Sequence, residues 1–269
     1  WDAHAKTQGD YSGWAHFSDR ENGDAPFIDE SADRIAQSLG LGLRNPQLAD
    51  EIGSTFLVVE PTFKPRDLVV AIERNWWPAI VDLKLKFDVT VVHENELEES
   101  PKPQRNPQLA EFISCYKYLT TQDDTTENFS KVHHLRKATV SEENLEKGAN
   151  HIANPGRVCL TWDKNGWSNP PSDDSSENHC SLVALIQEPR MVVRYDQHTR
   201  EAPFVRGVFL AQDANDLLAM TEPEMHDRWQ KKPPIGKNKV PEGAIKLAQI
   251  VDGAIKREIT KARNIARRE

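Results

Sequence analysis

Cysteine and long apolar runs are scarce in this chain, and each scarcity excludes something. Cys115, Cys159 and Cys180 are the three cysteines of 269 residues; they are too few and too far apart for a zinc cluster, and an odd number makes a poor disulfide framework. A reducing, intracellular setting is expected, and with it a cytoplasmic location. No apolar run approaches the roughly 20 residues that a bilayer-spanning helix needs. The opening Trp1-Asp2-Ala3-His4 has neither an initiator Met nor the apolar core of a signal peptide, so the chain is expected to begin inside a longer protein. There is no Gly-x-Ser-x-Gly elbow, which removes Ser181 from consideration as a hydrolase nucleophile. His133-His134 lie side by side on a polar segment, and Cys159, His179 and Cys180 lack a fourth partner at tetrahedral spacing, so no metal site is expected.

What is present suffices for a folded core. A chain of this length buries roughly 75% of its unfolded surface, enough for one large or two modest domains without disulfide or metal staples. Its formal charge is −8, unevenly placed. From Gln230 to Glu269 there are 11 basic and 4 acidic residues, a surplus of +7 that leaves −15 on everything before. That division predicts an acidic body with a basic tail.

Periodicity orders the body into elements. Ile28, Ala32, Ile35, Ala36 and Leu39 have helical spacing, with Asp29 or Ser31 to start the helix and Gly40 to end it. Gly53-Ser54-Thr55-Phe56-Leu57-Val58-Val59 reads as a buried strand, bounded by Glu60-Pro61. A second helix is predicted over 67–80, with Pro78 near its end, where a proline does least damage. Residues 83–91 alternate apolar and polar side chains as a strand with one wet face does. Next come a proline-rich connector over 101–107, a short helix over 109–119 carrying Phe112 and Tyr116, and a polar stretch over 120–150 with a helix near 142–147. Strands are predicted at 158–162, 180–186, 191–195 and 204–211, with a loop over 163–178 rich in Asn, Gly, Pro, Ser and Asp. One or two helical turns follow at 215–220. Glu222-Pro223-Glu224-Met225-His226-Asp227-Arg228-Trp229 is read as a helix start anchored by Trp229, and Pro233-Pro234 and Pro241 as a linker. From Glu242 on, an apolar stripe of Ile245, Ala248, Ile250, Val251, Ala254, Ile255, Ile259, Ala262 and Ile265 marks a long helix with a basic opposite face. That helix is expected to pack on the body or on a second chain, or to contact DNA phosphates.

In this order, Gly13-Trp14-Ala15-His16-Phe17, the helix ending Leu39-Gly40-Leu41, the strand at 53–59 and the helix ending Arg74-Asn75-Trp76-Trp77-Pro78-Ala79-Ile80 resemble the region after the lid in bacterial GHKL-type ATPases. That superfamily holds gyrase, MutL, the heat-shock-90 chaperones, MORC proteins and histidine kinases. Its nucleotide domain closes with a strand beginning Gly-Thr, and here Ser54 stands where the Thr is usual. The resemblance implies an α/β (α+β) chain in three parts. Residues 1–62 would be the end of a Bergerat-type sheet, 63–229 an S5-like transducer, and 230–269 a linker with a basic amphipathic helix.

It implies further that Gly53, Ser54 and Thr55 meet the base of ATP, and that one loop cation senses the γ-phosphate. The candidates are Arg190, in the tight Glu188-Pro189-Arg190 connection, and Lys164, in the long loop. ATP would come with Mg, most of whose ligands are expected outside this chain, because the family's catalytic Glu and Mg-binding Asn helix and its Asp-x-Gly-x-Gly turn do not occur in the 269 residues. The chain alone is therefore not expected to turn over ATP. A homodimeric clamp acting in DNA transactions or phage defence is implied as well. The contrasting expectation, from a different class, is a non-enzymatic α/β module that binds protein or DNA through its basic helical tail.

Overall fold

The computed structural model describes residues 26–41, 47, 62–92, 98–120, 155–165, 179–223, 227–232 and 240–268, and the backbone at 133–134. The chain divides into two compact units, Trp1–Pro61 and Thr62–Glu269. In the first, helix α1 (Asp29–Ser38) starts where Ser31 Oγ donates to the Ile28 carbonyl at 2.6 Å. It stops at Gly40, whose φ of 72° suits a residue without a Cβ. Neither expected residue is the N-cap: Ile28, just before the helix, holds that position without a side-chain cap. The predicted strand at 53–59 lies outside the described residues, as does the predicted helix near 142–147.

The second unit is a mixed sheet with helices on both faces. Its elements are α2 (Pro65–Val81), β1 (Val91–Val92), β2 (Glu98–Glu99), α3 (Ala110–Thr120), β3 (His133–His134), β4 (Gly156–Asp163), β5 (Leu182–Gln187), β6 (Met191–Gln197), β7 (Phe204–Ala211), α4 (Asn215–Ala219) and α5 (Glu242–Ala266). The main sheet has the order β3-β4-β7-β5-β6, while β1 and β2 pair only with each other. β7 runs antiparallel to β4 and parallel to β5, and β5 and β6 form an antiparallel hairpin. All eight residues of β7 are buried, as a strand covered on both faces and both edges must be.

Alternation sorts the side chains. Val158, Leu160, Val183, Val205 and Phe209 meet Leu247, Val251, Ile255 and Ile259 of α5. On the other face, Cys159, Leu182, Ala184, Val208 and Leu210 meet Trp77, Phe112, Ile113 and Tyr116 of α2 and α3. Gly207 sits where β4 and β7 leave no room: an added Cβ would lie 2.3 Å from the Cys159 carbonyl oxygen and 2.5 Å from Leu160 Cδ2. A bulge in β6 changes the phase. Arg194 is opposite Leu185, but Val192 is already opposite Ile186, so Val193 is the extra residue. Val192 and Tyr195, three apart, thereby share the α2–α3 face.

That phase shift serves α2. Its start is fixed by Pro65 in the first turn and by Asp67, whose Oδ2 accepts from the Lys64 N–H at 2.9 Å. Pro78 stands inside the helix, where it has no N–H for the carbonyl four residues back, that of Arg74. The Tyr195 hydroxyl replaces the missing donor, bonding the Arg74 carbonyl at 2.7 Å, and accepts from Trp77 Nε1 at 2.9 Å.

The alternating segment 83–91 does not form the predicted strand; only Val91 of it is in a strand. Residues 83–85 form a turn and Lys86 has a φ of 49°, so the alternation never meets a sheet edge. Leu83 is 86% exposed, and Phe87 instead stacks on Trp76 with ring centroids 5.3 Å apart.

Tyr195→Phe should cost about 2 kcal/mol in urea unfolding, because it removes the donor for a buried carbonyl and the acceptor for Trp77. In a Pro78→Ala background the same change should cost about 1 kcal/mol less, since the helix then supplies its own N–H. Equal costs in both backgrounds would refute the repair.

Candidate functional site

The turn of the β5–β6 hairpin carries the more constrained of the two candidate cations. Arg190 donates its backbone N–H to the Gln187 carbonyl at 2.7 Å and has a φ of 73°, a conformation that non-glycine residues seldom adopt outside over-determined sites. The preceding Glu188–Pro189 peptide is cis. Both flanks of the turn are pinned. Glu188 N donates to Asn215 Oδ1 at 2.8 Å. Gln187, itself buried, accepts from Trp229 Nε1 at 2.8 Å and donates to Glu222.

The Arg190 side chain is folded back, 24% exposed, with Nε 2.8 Å from Glu188 Oε1. That distance makes an ion pair without hydrogen-bond alignment: Nε and Nη1 are buried and have no acceptor among the described residues. Nearby, the Tyr116 hydroxyl donates to Asp82 Oδ2 at 3.1 Å. Burial pushes the Tyr116 phenol well above its ordinary range; the Arg190 charge opposes this, and the carboxylates of Asp82 and Glu188 add to it. Tyr116 therefore keeps its proton at ordinary pH and gives it to Asp82, beside a guanidinium two of whose nitrogens lack an acceptor among the described residues. Chemically, this guanidinium can take an external anion in exchange for Glu188, while the carboxylates of Asp82 and Glu188 oppose a second negative charge.

Lys164 lies elsewhere. It is exposed in the bend after β4, whose last residue Asp163 pairs with Phe204 at the start of β7. Because β7 is parallel to β5, that is the end of the sheet opposite Arg190, about 20 Å away along a six-residue strand. The structure does not bring the two candidate cations together. Gly53, Ser54 and Thr55 lie outside the described residues.

A second polar group, not foreseen from the sequence, joins β6 to α5. Asp252 Oδ2 pairs with Lys256 Nζ at 2.8 Å, and Asp252 Oδ1 with Lys231 Nζ. Burial pushes the Asp252 carboxyl up, but hydrogen bonds and charge from both lysines outweigh it and hold the carboxyl below its ordinary value. Lys256 is raised in turn, chiefly by its bond to Asp252. Asp196 pairs with Arg194 at 3.7 Å and lies 3.5 Å from Nε2 of the buried His198. Asp196, Asp252, Arg194, Arg228 and Lys231 rim a shallow cleft floored by Leu185, Trp229, Val251 and Ile255. The only hint in the sequence was the i, i+4 spacing of Asp252 and Lys256; Asp196 and His198 reach them through the sheet.

The remaining sequence candidates are structural. Ser181 Oγ accepts from the Val205 N–H at 2.9 Å. His179 meets Phe204 edge-on at 5.6 Å, and Cys159 and Cys180 are buried in the core beneath α2 and α3. Among the described residues, no group of three His, Cys, Asp or Glu side chains is placed to hold a metal. Trp229 is the anchor expected, against Phe209 at 5.8 Å, but residues 227–230 are not helical. No helix among the described residues is long and apolar enough to cross a membrane.

Comparison with known proteins adds no relative. No protein-family model, curated protein or solved structure matches the chain.

The second group has a pH signature. Burial lowers the His198 pKa more than Asp196 and Asp252 raise it, with Lys256 and Lys231 adding to the fall. The unfolded chain therefore holds this proton more tightly than the folded one. Stability is complete above the ordinary histidine value of about 6.5 and is lost as pH falls through the folded value, at no more than about 1.4 kcal/mol per pH unit. His198→Gln should flatten part of the loss between pH 7 and 5 in urea titrations. It should leave the loss from Asp252, which begins as the unfolded carboxyl starts to protonate, from about pH 5 downward. An unchanged slope in the variant would refute the assignment.

Proposed function

We propose that this chain is the transducer-containing part of an ATP-binding, GHKL-type ATPase, passing nucleotide state on as a conformational change. The observation that carries the reading is Arg190: a guanidinium rooted in an over-determined turn, largely withdrawn from water, with Nε and Nη1 lacking an acceptor among the described residues. Such a group loses little entropy on meeting a phosphate oxygen, and Glu188 is a partner it can exchange for one. The order of Gly53-Ser54-Thr55, the Trp76-Trp77-Pro78 helix and the later strands supports the same reading. In it, 1–62 is the end of a Bergerat-type sheet and 63–229 an S5-like transducer. Gly53, Ser54 and Thr55 meet the base, and Mg arrives with ATP on ligands outside this chain. Between the two cations at opposite ends of the sheet, the reading assigns terminal-phosphate sensing to Arg190 and leaves Lys164 out. A homodimeric clamp belongs to the same proposal.

ATP turnover by the natural full-length protein tests it. Arg190→Ala should lower turnover at least about tenfold, the scale on which a phosphate-contacting cation acts, while changing the affinity for a non-hydrolysable ATP analogue about threefold or less. Lys164→Ala should leave both within about twofold, and Ser54→Ala should weaken binding by about 1 kcal/mol, the worth of one hydrogen bond. Absence of ATP binding by the full-length protein would sink the reading.

A further inference from the structure

The sequence leaves two uses for the basic C-terminal helix, packing or phosphate contact, and the structure divides them between its two faces. The apolar stripe of α5 is consumed within the unit: Leu247, Ala248, Val251, Ile255, Ile259 and Ala262 are in the sheet core. That leaves Ile265 as the single exposed large apolar side chain of the helix, too little to insert into a membrane interface or to zip against a partner helix. Two of the three acids of the helix turn inward as well, while Glu242 in the first turn stays exposed. Asp252 is 14% exposed and Glu258 10%, each held by lysines. Arg263 is turned onto the body, donating to the carbonyls of Glu201, Ala202 and Pro203. The exposed charged residues from 256 to 268 are Lys256, Arg257, Lys261, Arg267 and Arg268, interspersed with Thr260, Asn264 and Ile265 and with no exposed acid among them. Arg257, Arg267 and Arg268 have no acidic partner among the described residues.

We propose that this outward face of the last turns of α5 docks the phosphate backbone of duplex DNA. The eleven helical residues from Lys256 to Ala266 extend about 16 Å and Arg267 and Arg268 continue them, a length of about five base pairs of one strand at about 3.4 Å each. A row of cations without a pocket suits repeated phosphates rather than base edges, so the contact carries no sequence preference. Cations at a helix C-terminus also favour the helix dipole. That accounts for Arg267 and Arg268 but not for Lys256 and Arg257, three turns earlier. The remaining −15 of the chain repels the duplex elsewhere and confines it to this strip. The inference does not rest on the ATPase reading, and its test contains no nucleotide.

Fluorescence anisotropy of a labelled 20-base-pair duplex with the 269-residue chain tests it. Binding is expected at 50 mM NaCl, with log Kd against log salt rising at a slope of about 3 to 4, as expected for about four neutralised phosphates. Combined Arg257→Gln, Arg267→Gln and Arg268→Gln substitutions should weaken binding at least about tenfold and lower the slope by about 2. The same three positions changed to Lys should stay within about threefold of the parent. Arg257→Gln alone, away from the helix end, should weaken binding about threefold, and all variants should melt with the parent. No binding at 50 mM salt, or a Gln triple that binds like the parent, would overturn the proposal. Capture by phosphatidylserine vesicles in preference to DNA would overturn it too.

Discussion

The second unit depends on one hydroxyl. Pro78 would split α2, because it offers no N–H to the Arg74 carbonyl and blocks the usual ladder. The Tyr195 hydroxyl, 2.7 Å from that carbonyl, closes the gap from the sheet side. The same ring receives the Arg74 guanidinium on its face at 5.3 Å and the edge of Phe112 at 5.2 Å. Three elements are thus fixed on one side chain: α2 through its broken turn, α3 through Phe112, and β6 through its backbone. The bulge at Val193 is what lets Tyr195 point there, since an unbulged strand facing Val192 to the helices would turn Tyr195 to the other side. The hairpin register and the docking of α2 are one constraint.

A second constraint lies at the opposite end of the sheet. β7 lies beside β5 and parallel to it, so the chain leaving β6 must pass under the N-terminal end of β5 within residues 198–203. Ser181 holds the crossing there: it accepts from the His198 N–H and donates to the Thr199 carbonyl, both at 2.9 Å, while its Oγ accepts from Val205. Arg263 closes the crossing from outside, with Nε on the Pro203 carbonyl at 3.2 Å and Nη2 on that of Glu201 at 3.1 Å. An arginine suits this place because its fork meets several carbonyls at once, where a lysine meets one or two. The long helix is therefore tied to the crossing as well as to the sheet.

These ties explain what could be read from residues alone. Helices α2, α3 and α5 and strands β4 to β7 are carried by local periodicity and capping, and their spans follow the apolar pattern. Segment 83–91 has an equally good pattern, yet alternation states only that a strand would be amphipathic; it does not supply the neighbouring strand that would make one. The pairing of Pro78 with Tyr195 joins residues more than a hundred positions apart, and no local signal announces it. Arg190 was legible as a cation held at both ends by strands. Its back-folded side chain was not, because Glu188, Tyr116 and Asp82 come to it from three separate elements. His198 was illegible for the same reason: its environment is made by the far face of a helix that begins 44 residues later.

Arg190 and the cationic strip stand at opposite ends of one sheet. The hairpin turn lies at the C-terminal end of β5, whereas Arg263, in the last turns of α5, reaches the crossing at its N-terminal end. β6 connects them directly: it begins at the residue after Arg190 and carries Arg194, Asp196 and then His198 down to the helix that holds Asp252 and Lys256. An edge strand flanked by neighbours on one side only is freer to shift than β7, which is locked on both. A displacement of the hairpin turn on exchange of Glu188 for an external anion would be felt first along β6. It would reach α5 at Asp196 and His198, where the contacts are ionic and adjustable, rather than at Leu247 or Ile255, where they are close-packed. Coupling between the two ends would then run through the polar seam, and it would weaken with salt as packed cores do not.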